Sequence, residues 1–169
     1  ARIGDSSVGG VYYMPGQSVY SSRMHLADVQ GSVFYSTSDH LTQEQIIGIG
    51  DFSGDGVKDL LLAPTDISGP AYIVFGSHSG YPALVNLNQL VSTGGAMAIT
   101  YSPTDIPAFS SGGFVGNVNG TGYSDVVLVR SASPLSTTTE AYVIFGGPHG
   151  AATVDVSALN GINGFEIVS

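Results

Sequence analysis

Asp51-Phe-Ser-Gly-Asp-Gly-Val-Lys-Asp-Leu-Leu-Leu-Ala63 decides the reading, because it returns without a gap as Asn117-Val-Asn-Gly-Thr-Gly-Tyr-Ser-Asp-Val-Val-Leu-Val129. Each copy joins a polar, glycine-bearing loop to a continuous apolar run. Such a run, bounded by turn residues, predicts a central strand buried on both faces. The correspondence continues outward. Ala71-Tyr-Ile-Val-Phe-Gly76 matches Ala141-Tyr-Val-Ile-Phe-Gly146, and Val85-Asn-Leu-Asn-Gln-Leu90 matches Val154-Asp-Val-Ser-Ala-Leu159. Upstream, Ala1-Arg-Ile-Gly through Gly16 aligns with Leu61 through Gly76, a decayed copy without a first strand or acidic loop.

Internal repetition at this period is the signature of a modular fold. In the second unit the strands are expected over 46–49, 60–63, 71–75 and 96–101. In the third they are expected over 114–115, 126–129, 141–145 and 165–168. No stretch carries a convincing helical period; Leu41-Thr-Gln-Glu-Gln-Ile-Ile47 is the nearest, good for one turn at most. Four-stranded antiparallel units in series predict an all-β, β-propeller-like arrangement of about 2.75 repeats. These are an incomplete blade over 1–40 and full blades over 41–105 and 106–169. Propellers close with roughly four to eight blades. The chain is therefore expected to be part of a larger propeller or to complete a ring by homo-oligomerisation.

The bulk numbers agree with an all-β reading. The 169 residues include 24 glycines and 8 prolines, with 43% hydrophobic and only 10% charged residues. The 13 carboxylates outnumber four basic residues, for a formal charge of −9. Nucleic-acid binding needs clustered Lys and Arg to displace counterions, and anionic membranes disfavour this balance too. No apolar run approaches the ~20 residues that span a bilayer, so no membrane insertion is expected. The absence of cysteine excludes disulfides and thiolate chemistry.

The first loop is a candidate calcium site. It places side-chain oxygens at Asp51, Ser53, Asp55 and Asp59, with the Val57 carbonyl at the seventh position and Gly56 at the sixth. Alternate residues of a curled loop point inward, and hard cations take such oxygens. It is not an EF-hand, since Leu62 stands where the bidentate Glu belongs and the flanks are strand-like. The ninth-position Asp59 is then expected to supply the bidentate contact. The second loop offers Asn117, Asn119, Thr121, the Tyr123 carbonyl and Asp125, with one carboxylate. It is expected to bind calcium more weakly, or to stand empty on its own hydrogen bonds. Asp, Asn and Gly clusters also close Asx turns with no metal.

Together, the acidic loop, the following Asp59-Leu-Leu-Leu62 and the Phe75-Gly76 and Phe145-Gly146 pairs resemble the FG-GAP repeat family, the blades of integrin α-subunit propellers and of bacterial surface proteins. The resemblance covers almost the whole chain. It departs at the missing first half-blade, at Pro15 where the other copies carry Phe, and at Leu62-Ala63-Pro64 where the family has Gly-Ala-Pro. It implies calcium at the two loops and a secreted or cell-surface setting. It also implies non-catalytic adhesion, with a protein or glycan ligand at the blade loops. The alternatives are an accessory domain of a larger extracellular enzyme and a carbohydrate-binding propeller.

Other signals are weaker. Gly4-Asp5-Ser6-Ser7 is similar to a serine-protease nucleophile segment but lacks the glycine pair after the serine, and it reads as a loop. His25, His40, His78 and His149 never fall at a metal-ligand spacing and read as turn residues. Asp39, Asp66 and Asp105 are scattered loop carboxylates, and Asn119-Gly-Thr121 spells a glycosylation acceptor inside the metal loop. Tyr12, Tyr72 and Tyr142 recur at one repeat position and are expected to pack between units. Tyr81, Tyr101 and Tyr123 are the better candidates for a recognition surface.

Overall fold

The computed structural model describes residues 10–16, 21–23, 31–36, 44–64, 69–101, 109–131, 139–148 and 150–169. Gly4–Ser7, His25, His40, Asp39, Asp66, Asp105 and His149 lie outside the described residues. The strands are β1 (Val11–Tyr13), β2 (Ser32–Tyr35), β3 (Glu44–Gly50), β4 (Asp59–Pro64), β5 (Ala71–Val74) and β6 (Leu84–Asn86). Helix α1 (Leu87–Ser92) follows, then β7 (Ala96–Thr100), β8 (Phe109–Gly116), β9 (Asp125–Ser131) and β10 (Thr139–Ile144). The described chain ends with β11 (Thr153–Asp155), a 3-10 turn at Val156–Ala158 and β12 (Gly164–Val168). The fold is all-β, in three sheets, with one short helix.

Sheet two is an antiparallel meander β3-β4-β5-β7, and sheet three repeats it as β8-β9-β10-β12. Sheet one contains β1 and β2 in antiparallel register. The eight strands expected in the two full units are therefore present, most of them longer than the apolar runs alone implied. Two features differ from the sequence reading. First, Glu44 to Ile47 belong to β3, while the helical turn falls at α1, where Asn86 caps it by accepting from Gln89 N at 3.1 Å. The Ile46-Ile47-Gly48-Ile49-Gly50 stretch favours extended backbone, and Gly48 and Gly50 let Phe114 of the next sheet lie against the strand.

Second, each full repeat sends one strand backward. After β5 the chain crosses to sheet one, where β6 pairs in parallel with β2, placing Val85 opposite Phe34. After β10 it crosses to sheet two, where β11 pairs in parallel with β7, placing Val154 opposite Ile99. The sheets accordingly hold three, five and four strands rather than a uniform four.

Burial follows the period of two. Leu61 and Ala63 of β4, Ala71 and Ile73 of β5, and Met97 and Ile99 of β7 pack against Phe109, Val126, Leu128, Tyr142 and Ile144 of sheet three. The alternate residues Leu60, Leu62, Tyr72, Val74, Ala96 and Ala98 pack with Val11 and Phe34 of sheet one and with Val85 and Leu87. Sheet two is thus sandwiched, which explains its continuous apolar runs.

Candidate metal centre

The two polar loops sit at the same place in consecutive sheets, between the first and second strands. Gly54 and Gly56 in the first, and Gly120 and Gly122 in the second, hold φ between 77° and 97°. That left-handed backbone is open to glycine and curls each loop over the strand that follows. Inside each curl lies one buried carboxylate. Asp59 Oδ2 accepts from Phe52 N at 2.8 Å and Ser53 N at 2.9 Å, while Oδ1 accepts from Gly76 N at 2.8 Å. Asp125 repeats the pattern with Val118 N at 2.7 Å, Asn119 N at 3.3 Å and Gly146 N at 2.8 Å. Both aspartates are completely shielded from solvent.

This arrangement explains why the loop and the Phe-Gly pair occur together. The ninth-position carboxylate ties the loop to the glycine N–H at the end of the third strand. A Cβ on Gly76 would stand 2.5 Å from the Lys58 carbonyl oxygen, and one on Gly146 would stand 2.5 Å from that of Ser124. Only glycine lets the strand end come this near. The sequence reading gave Asp59 to metal or to a metal-free Asx turn and missed the tie to Gly76; the matching Asp125 in a loop poor in other carboxylates was the available clue.

The remaining donors differ between the loops. Asp51 accepts from Gly54 N at 2.7 Å and Gly56 N at 3.1 Å, and the exposed Asp55 accepts from Val57 N at 2.8 Å. Ser53 is buried, and its hydroxyl oxygen has no hydrogen-bond partner among the described residues. In the second loop Asn119 Oδ1 accepts from Thr121 N and Thr121 Oγ1, at 3.1 and 2.6 Å, and Asn117 and Thr121 are exposed. Among the described residues, no group of three or more His, Asp or Glu side chains is arranged to hold a metal ion. The residues fit calcium in one respect and not in another. The orphaned Ser53 hydroxyl suits a hard cation, and a carboxylate offers about four acceptor positions, of which Asp59 spends three. Asp51 and Asp55 face backbone N–H groups and would have to turn toward an ion.

The loops also meet. Ser124 N donates to the Asp51 carbonyl at 2.9 Å, Gly147 N donates to the Phe52 carbonyl at 2.9 Å, and the Tyr123 ring covers Gly54. Tyr123 is therefore a bridge between consecutive loops. The other tyrosines reserved for recognition are also packed. Tyr81 lies edge-on to Tyr13 and Phe34 and donates to the Phe75 carbonyl, and burial, then Tyr13, Asp59 and Asp55, push it up to about 12. Tyr101 lies under the Arg130 guanidinium, 4.2 Å from ring centroid to Cζ. Arg130 pairs with Glu140 at 2.9 Å, and Tyr142 donates to the same carboxylate at 2.7 Å. Tyr72 and Tyr142 are buried as packing residues, and His78 is exposed in its turn. Beside the loops a cavity of about 390 Å³ opens between sheets two and three, lined by Phe52, Phe75, Phe145, Asp155 and Asn163 among others.

No protein-family model, curated protein or solved structure matches the chain.

Proposed function

We propose that the chain is a segment of an FG-GAP-type β-propeller, secreted or on the cell surface. In this reading it acts in adhesion by binding a protein or glycan at its loop end, without catalysis. The observation that supports this most is the same carboxylate-to-glycine tie in two consecutive repeats, with the two loops bonded to each other. The loop end is then a firm platform rather than a set of independent turns.

Calcium would be held at the first loop by Asp51, Ser53, Asp55, the Val57 carbonyl and Asp59. Asn117, Asn119, Thr121, the Tyr123 carbonyl and Asp125 form a weaker second site. A bound dication supplies positive charge among clustered carboxylates, so its binding free energy adds to folding. Extracellular modules of this kind bind at ~0.1–1 mM, which matches that compartment.

The test is binding of the immobilised chain to glycan and matrix-protein arrays, in millimolar calcium and in chelator. Calcium-dependent capture of a protein or sugar supports the reading, and calcium-independent capture or none contradicts it. A carbohydrate ligand is the second reading, favoured by the aromatic-lined cavity with Asp155 and Asn163 at its wall. In that case capture falls on sugars alone and persists in chelator.

A further inference from the structure

The three sheets present one structural position three times, and it is covered twice. Phe34 in β2 lies opposite Val85, and Ile99 in β7 lies opposite Val154; both are 0% exposed. Register through the preceding strand gives their counterpart in β12. Ala71 pairs with Ile99, and the matching Ala141 pairs with Ile167. Ile167 is 52% exposed, and β12 is an edge strand with no neighbour on its outer side among the described residues.

The face behind that edge tells the same story. Leu61, Ala63, Ile73 and Met97 form the face of sheet two on which sheet three packs, and all are buried. Their counterparts in sheet three are Val127, Val129, Val143 and Phe165. All four are apolar, and of them only Val143 is buried. A sheet face that ends on solvent ordinarily alternates to polar residues. This one keeps the composition of the face that is already occupied one repeat earlier.

We propose that this face of sheet three, with the β12 edge, is the docking site for a further repeat of the same type. The incoming repeat packs its apolar sheet on Val127, Val143 and Phe165. It lays a strand of the β6 and β11 pattern, Leu/Thr-Val-Asn/Asp, parallel to β12 with its Val opposite Ile167. The occupant follows from the two seats already filled: both take a parallel strand from the next repeat, in one register, followed by a helical turn. Charge is compatible too, because the one carboxylate β12 brings to the pairing positions, Glu166, falls opposite the neutral first residue of the incoming strand, the place held by Leu84 and Thr153 in the filled seats. The proposal rests on the repeat reading above but not on calcium.

The test begins with hydrogen exchange on the chain as it is. Amides of β7 exchange slowly and those of β12 faster. The chain is then extended after Ser169 by a second copy of residues 102–169, which supplies a sheet and a β11 strand in the natural spacing. Exchange in 164–168 is expected to slow by about tenfold or more, with a higher melting temperature. Ile167→Lys in the extended chain abolishes the protection, while the same change in the parent chain leaves its melting temperature nearly unchanged. An extended chain whose β12 exchanges as before overturns the proposal. So does concentration-dependent protection of β12 in the unextended chain, which assigns the face to a second copy. Fast exchange in β7 itself would instead defeat the repeat reading on which the proposal stands.

Discussion

Asp59 and Asp125 each spend a carboxylate on three backbone N–H groups in a site closed to water. Removing such an acceptor leaves buried donors unpaired at ~1–3 kcal/mol each. Asp59→Ala is expected to cost about 3–5 kcal/mol in urea unfolding in chelator, from the unpaired donors alone, and to lose any stabilisation by calcium as well. Asp55 is exposed and accepts from one N–H, so Asp55→Ala changes stability little in chelator but removes the stabilisation by calcium. Equal losses from the two variants would contradict this division of labour. A titration belongs to the same scale. Burial first, then Tyr13 and the nearby carboxylates, raise Tyr81 to about 12, and burial with Glu140 raises Tyr142 as well. A folded pKa above the unfolded value near 10 stabilises the fold below pH 10. For Tyr81 that stability is lost as pH rises from 10 to 12. Unfolding free energy measured at pH 9 and pH 11 should fall, and Tyr81→Phe should flatten the fall. The spacing of Asp51, Ser53, Asp55 and Asp59 was legible in the sequence. Which carboxylate is buried and tied to a distant segment was not, because Gly76 N follows β5 and only the folded register brings it to Asp59.

Strands β4, β5 and β7 could be read from apolar runs and turn punctuation, since a strand between two packed faces needs no polar alternate. Strands β9 and β10 keep the same composition although only one of their faces is packed among the described residues. The backward strands β6 and β11 could not. Leu84-Val-Asn86 and Thr153-Val-Asp155 are three residues each, too short for periodicity, and parallel pairing across repeats leaves no local mark. Helix α1 escaped for the same reason, being six residues with its cap carried by Asn86. Two outcomes follow at this scale. Val154→Lys should lift β11 from β7, exposing Ile99, and accelerate hydrogen exchange across 96–100 while leaving β4 and β5 slow. Asn86→Ala should cost about 1 kcal/mol by loss of the cap, read as a lower urea midpoint with an unchanged slope.

At the scale of the molecule, sheet two is covered on both faces and stitched at its outer edge by β11, so it is the interior of the described structure. The Arg130–Glu140 pair, with Tyr101 and Tyr142, closes the far end of the contact between sheets two and three. The loops close the near end. Three repeated sheets in series are what the sequence implied, while ring closure and the number of repeats lie beyond what self-similarity alone can set. Hydrogen bonds through Asp51, Phe52, Ser124 and Gly147 couple the loops, so calcium at one site, as proposed, would act on the whole loop end. Metal binding should therefore raise the single melting transition of the chain rather than one local step.

The most direct test of calcium as a structural element is a calorimetric titration of the chain with calcium, paired with thermal melts in calcium and in chelator. One tight and one weaker site, with a rise in melting temperature that Asp55→Ala abolishes, is the predicted result. No binding heat and superimposable melts would contradict it, leaving the loops as hydrogen-bonded turns that hold the sheets together without metal.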